Sequence, residues 1–169
     1  MKMFGPKSLS IYLFYATRIL TIVTGISFLS LIYSITTKSF TTVGNQLRIE
    51  LPIKGMHLEI LKETNIPMMI IAGLLFYSIF FYTFSNVFKT FSAEKLFTVS
   101  VQKTLVNFAI LNLLAPVAYI LFHMILLQDT HFTQLPYVLL HMILGIIVFF
   151  ISALLKKGTL LQLENDLTI

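Results

Sequence analysis

LPYVLLHMILGIIVFFISALLKK, residues 135–157, decides the class of this protein. From Leu135 to Leu155 the stretch holds no acidic residue, lysine or arginine, and its two lysines stand together at the end. A bilayer core about 30 Å thick takes about 20 apolar residues of helix. The stretch therefore reads as a membrane span, with Lys156 and Lys157 at a headgroup layer and Gly158 as the expected helix stop. Three more runs of this kind lie upstream. Residues 11–35 are broken only by Arg18 and by small or hydroxyl side chains. Residues 66–88 follow Asn65, a suitable N-cap, and carry Pro67 in the first turn, where a missing N–H costs nothing. Residues 104–127 carry Asn107, Asn112 and Pro116. Lys2 and Lys7 precede the first run as in a secretory signal, but the run is too long and no A-x-A-like site follows, so it is expected to be a retained helix.

The expected fold is an all-α membrane protein: one domain of four transmembrane helices, an outer loop at 36–65 and a tail at 156–169. Of 169 residues, 57 % are hydrophobic and 11 % charged, which excludes an ordinary water-soluble domain and is expected to leave no room for a separate catalytic one. The absence of cysteine excludes thiolate catalysis, disulfide exchange, Cys-ligated zinc and iron–sulfur clusters. No phosphate-cradling glycine loop, Ser/His/Asp set or pair of catalytic carboxylates is visible, and no chain of acidic residues crosses the membrane. A non-enzymatic protein without a cofactor is expected.

Lysine and arginine accumulate on the cytoplasmic side of membrane proteins. Lys2, Lys7, Arg18, Lys89, Lys95, Lys103, Lys156 and Lys157 fall on one side of the four-span layout, and Lys38, Arg48, Lys54 and Lys62 on the other. Both termini are thus expected in the cytoplasm of a bacterium, with the chain multi-pass in the inner membrane. The positive charge is what that orientation requires, and direct nucleic-acid binding is not expected. The lipid bilayer is the first partner, and a homo-oligomer stays open.

Within the outer loop Leu47, Ile49, Leu51 and Ile53 alternate with Gln46, Arg48, Glu50 and Pro52. After Lys54-Gly55, Met56, Leu58 and Ile60 alternate with His57 and Glu59. The pattern predicts a short β-hairpin with a two-residue turn, which sets Glu50 opposite Glu59, an unfavourable pairing. On the other side, residues 89–103 read as an amphipathic connection in the membrane interface, with Thr98 as the N-cap of the third span.

Polar residues inside the spans are where chemistry would sit. Asn86 and Asn107 are expected at one depth on adjacent helices, as an interhelical hydrogen bond. Asn112, one turn before Pro116, is placed to satisfy a backbone group that the proline releases. His123 and His141 lie symmetrically about Phe132, with Asp129 and His131 at the loop tip. Imidazoles with a carboxylate suit zinc or copper, and two facing histidines suit a haem, although the spacing matches no ligand motif. A small metal- or haem-binding redox protein therefore stays open beside ordinary interhelical hydrogen bonding, as does a small transporter subunit.

The tail returns to polar character, and Glu164, Asp166 and the Ile169 carboxylate, with Lys95 and Lys103 nearby, form the expected partner-facing surface. Together with Phe97-Thr98 at the start of the third span, the ending G-x-x-L-Q-x-E-N-D-L-T-I from Gly158 to Ile169 resembles the bacterial domain-of-unknown-function family 2975, the YoaS-like small four-span membrane proteins. That resemblance implies four spans, a long first outer loop and no established activity. It also implies a gene neighbourhood that often holds an Xre-type helix-turn-helix regulator, a candidate cytosolic partner for the tail.

Overall fold

A computed structural model describes residues 2–52, 54–61, 66–122, 124–125 and 135–166. The elements run α1 (Leu9–Thr36), β1 (Phe40–Val43), β2 (Gln46–Glu50), β3 (His57–Leu61), α2 (Ile66–Phe91), α3 (Val99–Phe122) and α4 (Leu135–Asp166). All four helices are long and apolar enough to cross a membrane, which suggests a multi-pass membrane protein. The chain divides into two compact units, one of residues 19–81 and the other of residues 1–18 with 82–169.

In the unit of residues 19–81 the loop sequence becomes a three-stranded antiparallel sheet in the order β1-β2-β3, one strand more than the hairpin expected. The added strand, Phe40-Thr-Thr-Val43, pairs with β2 across the two-residue turn Gly44-Asn45, where Gly44 takes φ +61°. A positive φ at the first turn residue is what a two-residue hairpin turn of type II′ demands, and glycine supplies it without strain. The second hairpin corrects the expected register. Its connection is residues 51–56, so Glu50 faces His57 and Arg48 faces Glu59. The predicted Glu50–Glu59 clash gives way to opposite charges: Arg48 Nε lies 3.6 Å from Glu50 and 3.9 Å from Glu59, and its Nη2 lies 3.0 Å from the His57 ring nitrogens.

The sheet is tied to the end of α1. There the chain turns with Lys38 at φ 54°, Lys38 N–H donating to Ile35 O (3.1 Å) and Ser39 N–H to Ser34 O (2.9 Å). These two bonds are the Schellman closure of a helix C-terminus, with a lysine at the position glycine usually holds. The Ser34 hydroxyl donates to Glu50 O at 2.5 Å, and Glu50 N–H donates to Ser39 O. Leu31, Ser34 and Ile49 are fully buried around this junction.

In the other unit α3 and α4 pair closely and antiparallel. Buried positions recur at heptad spacing on each: Val101, Leu105, Phe108 and Asn112 on α3, Val138, Gly145, Val148 and Ser152 on α4. This is the pattern of a left-handed helix pair. At the tightest point a Cβ on Gly145 would stand 2.9 Å from Leu113 Cγ and 3.1 Å from Ala109 O, so only glycine fits. Phe84 of α2 stacks on Phe108 at 5.1 Å. The first residues of the chain join the end of α2: Gly5 N–H donates to Phe91 O, and the Phe4 ring meets Phe91 edge-on.

Two boundaries differ from expectation. Residues 92–98 alone link α2 to α3, in place of an amphipathic connection through residue 103. Nor does Gly158 stop α4, which runs on to Asp166. A Cβ at Gly158 would stand 2.5 Å from the Phe97 ring, so this glycine serves close approach by an aromatic side chain. The two glycines should answer differently to substitution. Gly145→Ala presses on packed backbone and is expected to cost about 1–3 kcal/mol. Gly158→Ala presses on an exposed ring free to swing away and should be near neutral, the gain in helix propensity offsetting the shift. Thermal unfolding in detergent measures both.

Candidate functional site

The α3–α4 seam carries the polar groups that cannot be satisfied within one helix. Asn112 is completely buried. Its Nδ2 donates to Phe108 O (2.8 Å), one turn back, which leaves Oδ1 as the acceptor for His141 Nδ1 of α4 at 2.9 Å. His141 therefore carries its hydrogen on Nδ1 toward Asn112. The amide thus bonds the Phe108 carbonyl and the neighbouring helix, where the expectation from Pro116 was a bond to a carbonyl freed by the proline; Pro116 itself is buried within α3.

Of the expected metal or haem set, His141 is the only member among the described residues, and its observed partner is Asn112. His123, Asp129 and His131 lie outside the described residues. Among the described residues no three metal-ligating side chains come together. The expected bond between Asn86 and Asn107 is not made among the described residues: Asn107 is exposed and Asn86 half-buried. An interhelical polar pair that the spans do hold is Asn112–His141.

Toward the α4 C-terminus the seam becomes hydrophilic. Thr98 caps α3, accepting the Val101 N–H at its hydroxyl (3.3 Å). Gln102 Nε2 donates to the Thr159 hydroxyl (2.8 Å), and the Ser152 hydroxyl donates to Gln102 O (3.4 Å). The Phe97 ring lies on Gly158. These contacts hold the extension of α4 against the start of α3. Around them Lys95, Lys103, Lys156, Lys157 and Glu164 are exposed, as are the apolar side chains of Phe97 and Val99. Beyond the lysine pair Leu160, Leu161 and Leu163 are 52 %, 61 % and 56 % exposed. The Asp166 side chain and Ile169 lie outside the described residues. The exposed leucines and the Gln102–Thr159 contact were not anticipated, although the seven-residue spacing continues through Ser152, Leu155 and Thr159 and announces a helix that does not stop.

Set against family models, curated proteins and solved structures, the chain matches none. The buried pair can be tested directly. Asn112→Leu or His141→Leu alone leaves a polar partner unsatisfied and should cost about 1–3 kcal/mol. The double substitution should cost less than the sum of the two, by about 0.6–2 kcal/mol, in a double-mutant cycle of unfolding in detergent.

Proposed function

We propose that this chain is a non-enzymatic regulatory or accessory component of a bacterial inner membrane, with both termini in the cytoplasm, that binds a cytosolic protein through the end of α4. The observation that carries the reading is the row of exposed leucines past Lys156-Lys157. At about 1.5 Å per residue, the 32 residues of α4 extend about 48 Å, well beyond a hydrocarbon core of about 30 Å. The stretch of 21 residues from Leu135 to Leu155 already fills that core, and the lysine pair suits the headgroup layer. Residues 158–166 then stand outside the hydrocarbon, where three leucines are a liability unless a partner covers them.

Leu160 and Leu163, three residues apart, share a helix face, and Leu161 flanks it. A short helix that lays such a face in a partner's groove is a recurrent mode of recognition. The basic side chains of Lys95, Lys103, Lys156 and Lys157 and the carboxylates of Glu164, Asp166 and Ile169 supply the charged rim. An Xre-type helix-turn-helix regulator is the partner class that the resemblance of the tail supplies.

Full-length protein, a form ending at Lys157 and the triple variant Leu160→Ser, Leu161→Ser, Leu163→Ser are each co-expressed with an Xre-type helix-turn-helix regulator and purified from membranes. Retention of the regulator by the full-length chain, and at least a tenfold loss in both variants at equal membrane yield, is expected. Equal retention by all three forms refutes the reading.

A further inference from the structure

We propose that Arg18, with Tyr15 and Tyr82, forms a binding site for the phosphate of an anionic phospholipid. Arg18 lies nine residues into α1, about 13–14 Å from Leu9 along the axis. Tyr82 lies nine residues before the end of α2 at Phe91, and the Gly5–Phe91 hydrogen bond draws those two helix ends together. For a helix of 28 residues centred on a core of about 30 Å, the Arg18 backbone is about 7 Å inside the hydrocarbon. A charge at that depth requires a counterion or a route to the surface.

The structure supplies the route and no counterion. The guanidinium carbon lies 4.6 Å from the centre of the Tyr82 ring and 5.6 Å from that of Phe14, one turn nearer the start of α1. The side chain thus turns back toward the membrane surface, held on two aromatic faces. Those faces orient the cation without using its N–H groups, and no hydrogen-bond acceptor or carboxylate meets Arg18 among the described residues. Nor does α1, α2 or α3 contain a single acidic residue. Tyr15 stands three residues before Arg18 on the same side of α1, and the hydroxyls of Tyr15 and Tyr82, both exposed, likewise have no partner among the described residues. The cluster is rich in donors and empty of acceptors, which is the inverse of a cation site.

A ligand for it carries negative charge, accepts several hydrogen bonds and resides at the edge of the hydrocarbon. A phospholipid phosphate meets all three conditions. The guanidinium fork matches two phosphate oxygens at once, and the tyrosine hydroxyls can donate to others. Phosphatidylglycerol suits the site better than phosphatidylcholine, whose own ammonium offsets the phosphate charge. Lys2, Lys7 and Lys89, near the same helix ends, add a general attraction for anionic lipid. The inference needs only that the helices span a bilayer, and it holds for either orientation and without the α4 partner.

The test is native mass spectrometry of the full-length protein in detergent, titrated with phosphatidylglycerol or phosphatidylcholine. Wild type is expected to hold one phosphatidylglycerol at least fivefold more tightly than phosphatidylcholine. Arg18→Gln should weaken that binding at least fivefold, and Tyr82→Phe, which keeps the ring beneath the guanidinium, about twofold to threefold. Lys54→Met, an exposed charge in the loop before β3, should change it less than twofold. Inorganic phosphate in excess should not displace the lipid. Wild type without a preference, an Arg18→Gln affinity equal to wild type, or displacement by free phosphate would each overturn the proposal. If Arg18→Gln does not fold, Arg18→Lys and Tyr82→Phe decide: both within twofold of wild type also overturns it.

Discussion

Hydrocarbon offers a polar group no partner, and that constraint organises the spans of this protein. Many of the hydroxyl side chains meet it locally. Thr17 donates to Leu13 O, Thr24 to Leu20 O, Ser27 to Val23 O, Ser78 to Leu74 O and Thr104 to Ser100 O, each reaching one turn back along its own helix. Such residues fix nothing beyond themselves. The larger polar groups cannot be satisfied by the same device. Asn112 spends one end of its amide on its own helix and the other on His141; Gln102 reaches Thr159; Arg18 rests on two rings. The places where the helices are specified against one another, and where a ligand is called for, are the places where this local remedy runs out.

The seam shows how a polar contact and close packing work together. Glycine at position 145 lets α4 approach the Ala109 carbonyl, and without that approach Asn112 and His141 would not be within hydrogen-bond distance. Dispersion between closely packed backbones takes the part that the hydrophobic effect plays in water, since lipid chains are as apolar as the residues they would replace. The hydrogen bond then fixes the register along an otherwise smooth apolar pair.

Much of this architecture is legible in the amino-acid sequence because twenty uncharged residues have one reading. All four spans are present near their expected positions, and Thr98 caps α3 as its place before the run implies. Register is another matter. Symmetry about a connection does not by itself bring Asn112 opposite His141, whereas packing at Gly145 decides which described residues of α3 and α4 face each other. Glycine is ambiguous for a related reason: at position 158 a helix terminator and a seat for an aromatic ring look identical until Phe97 is seen to occupy it. In the sheet, alternation showed two strands, but the length of the second connection, and with it the partner of Glu50, depends on hydrogen bonds that alternation does not encode. The strand at Phe40–Val43 was signalled by Gly44-Asn45 after two threonines and a valine, a cue masked by the helix that ends only a few residues before.

The continuity of α4 has a mechanical consequence. No proline or left-handed residue interrupts it after the first turn, and at Gly158 the helix continues past the Phe97 ring without a break. Leu163 and His141 are therefore two points on one strut, 22 residues or about 33 Å apart. A tilt or twist imposed at the leucines is conveyed along this lever to the Asn112–His141 latch, with the Gln102–Thr159 contact as a fulcrum between them.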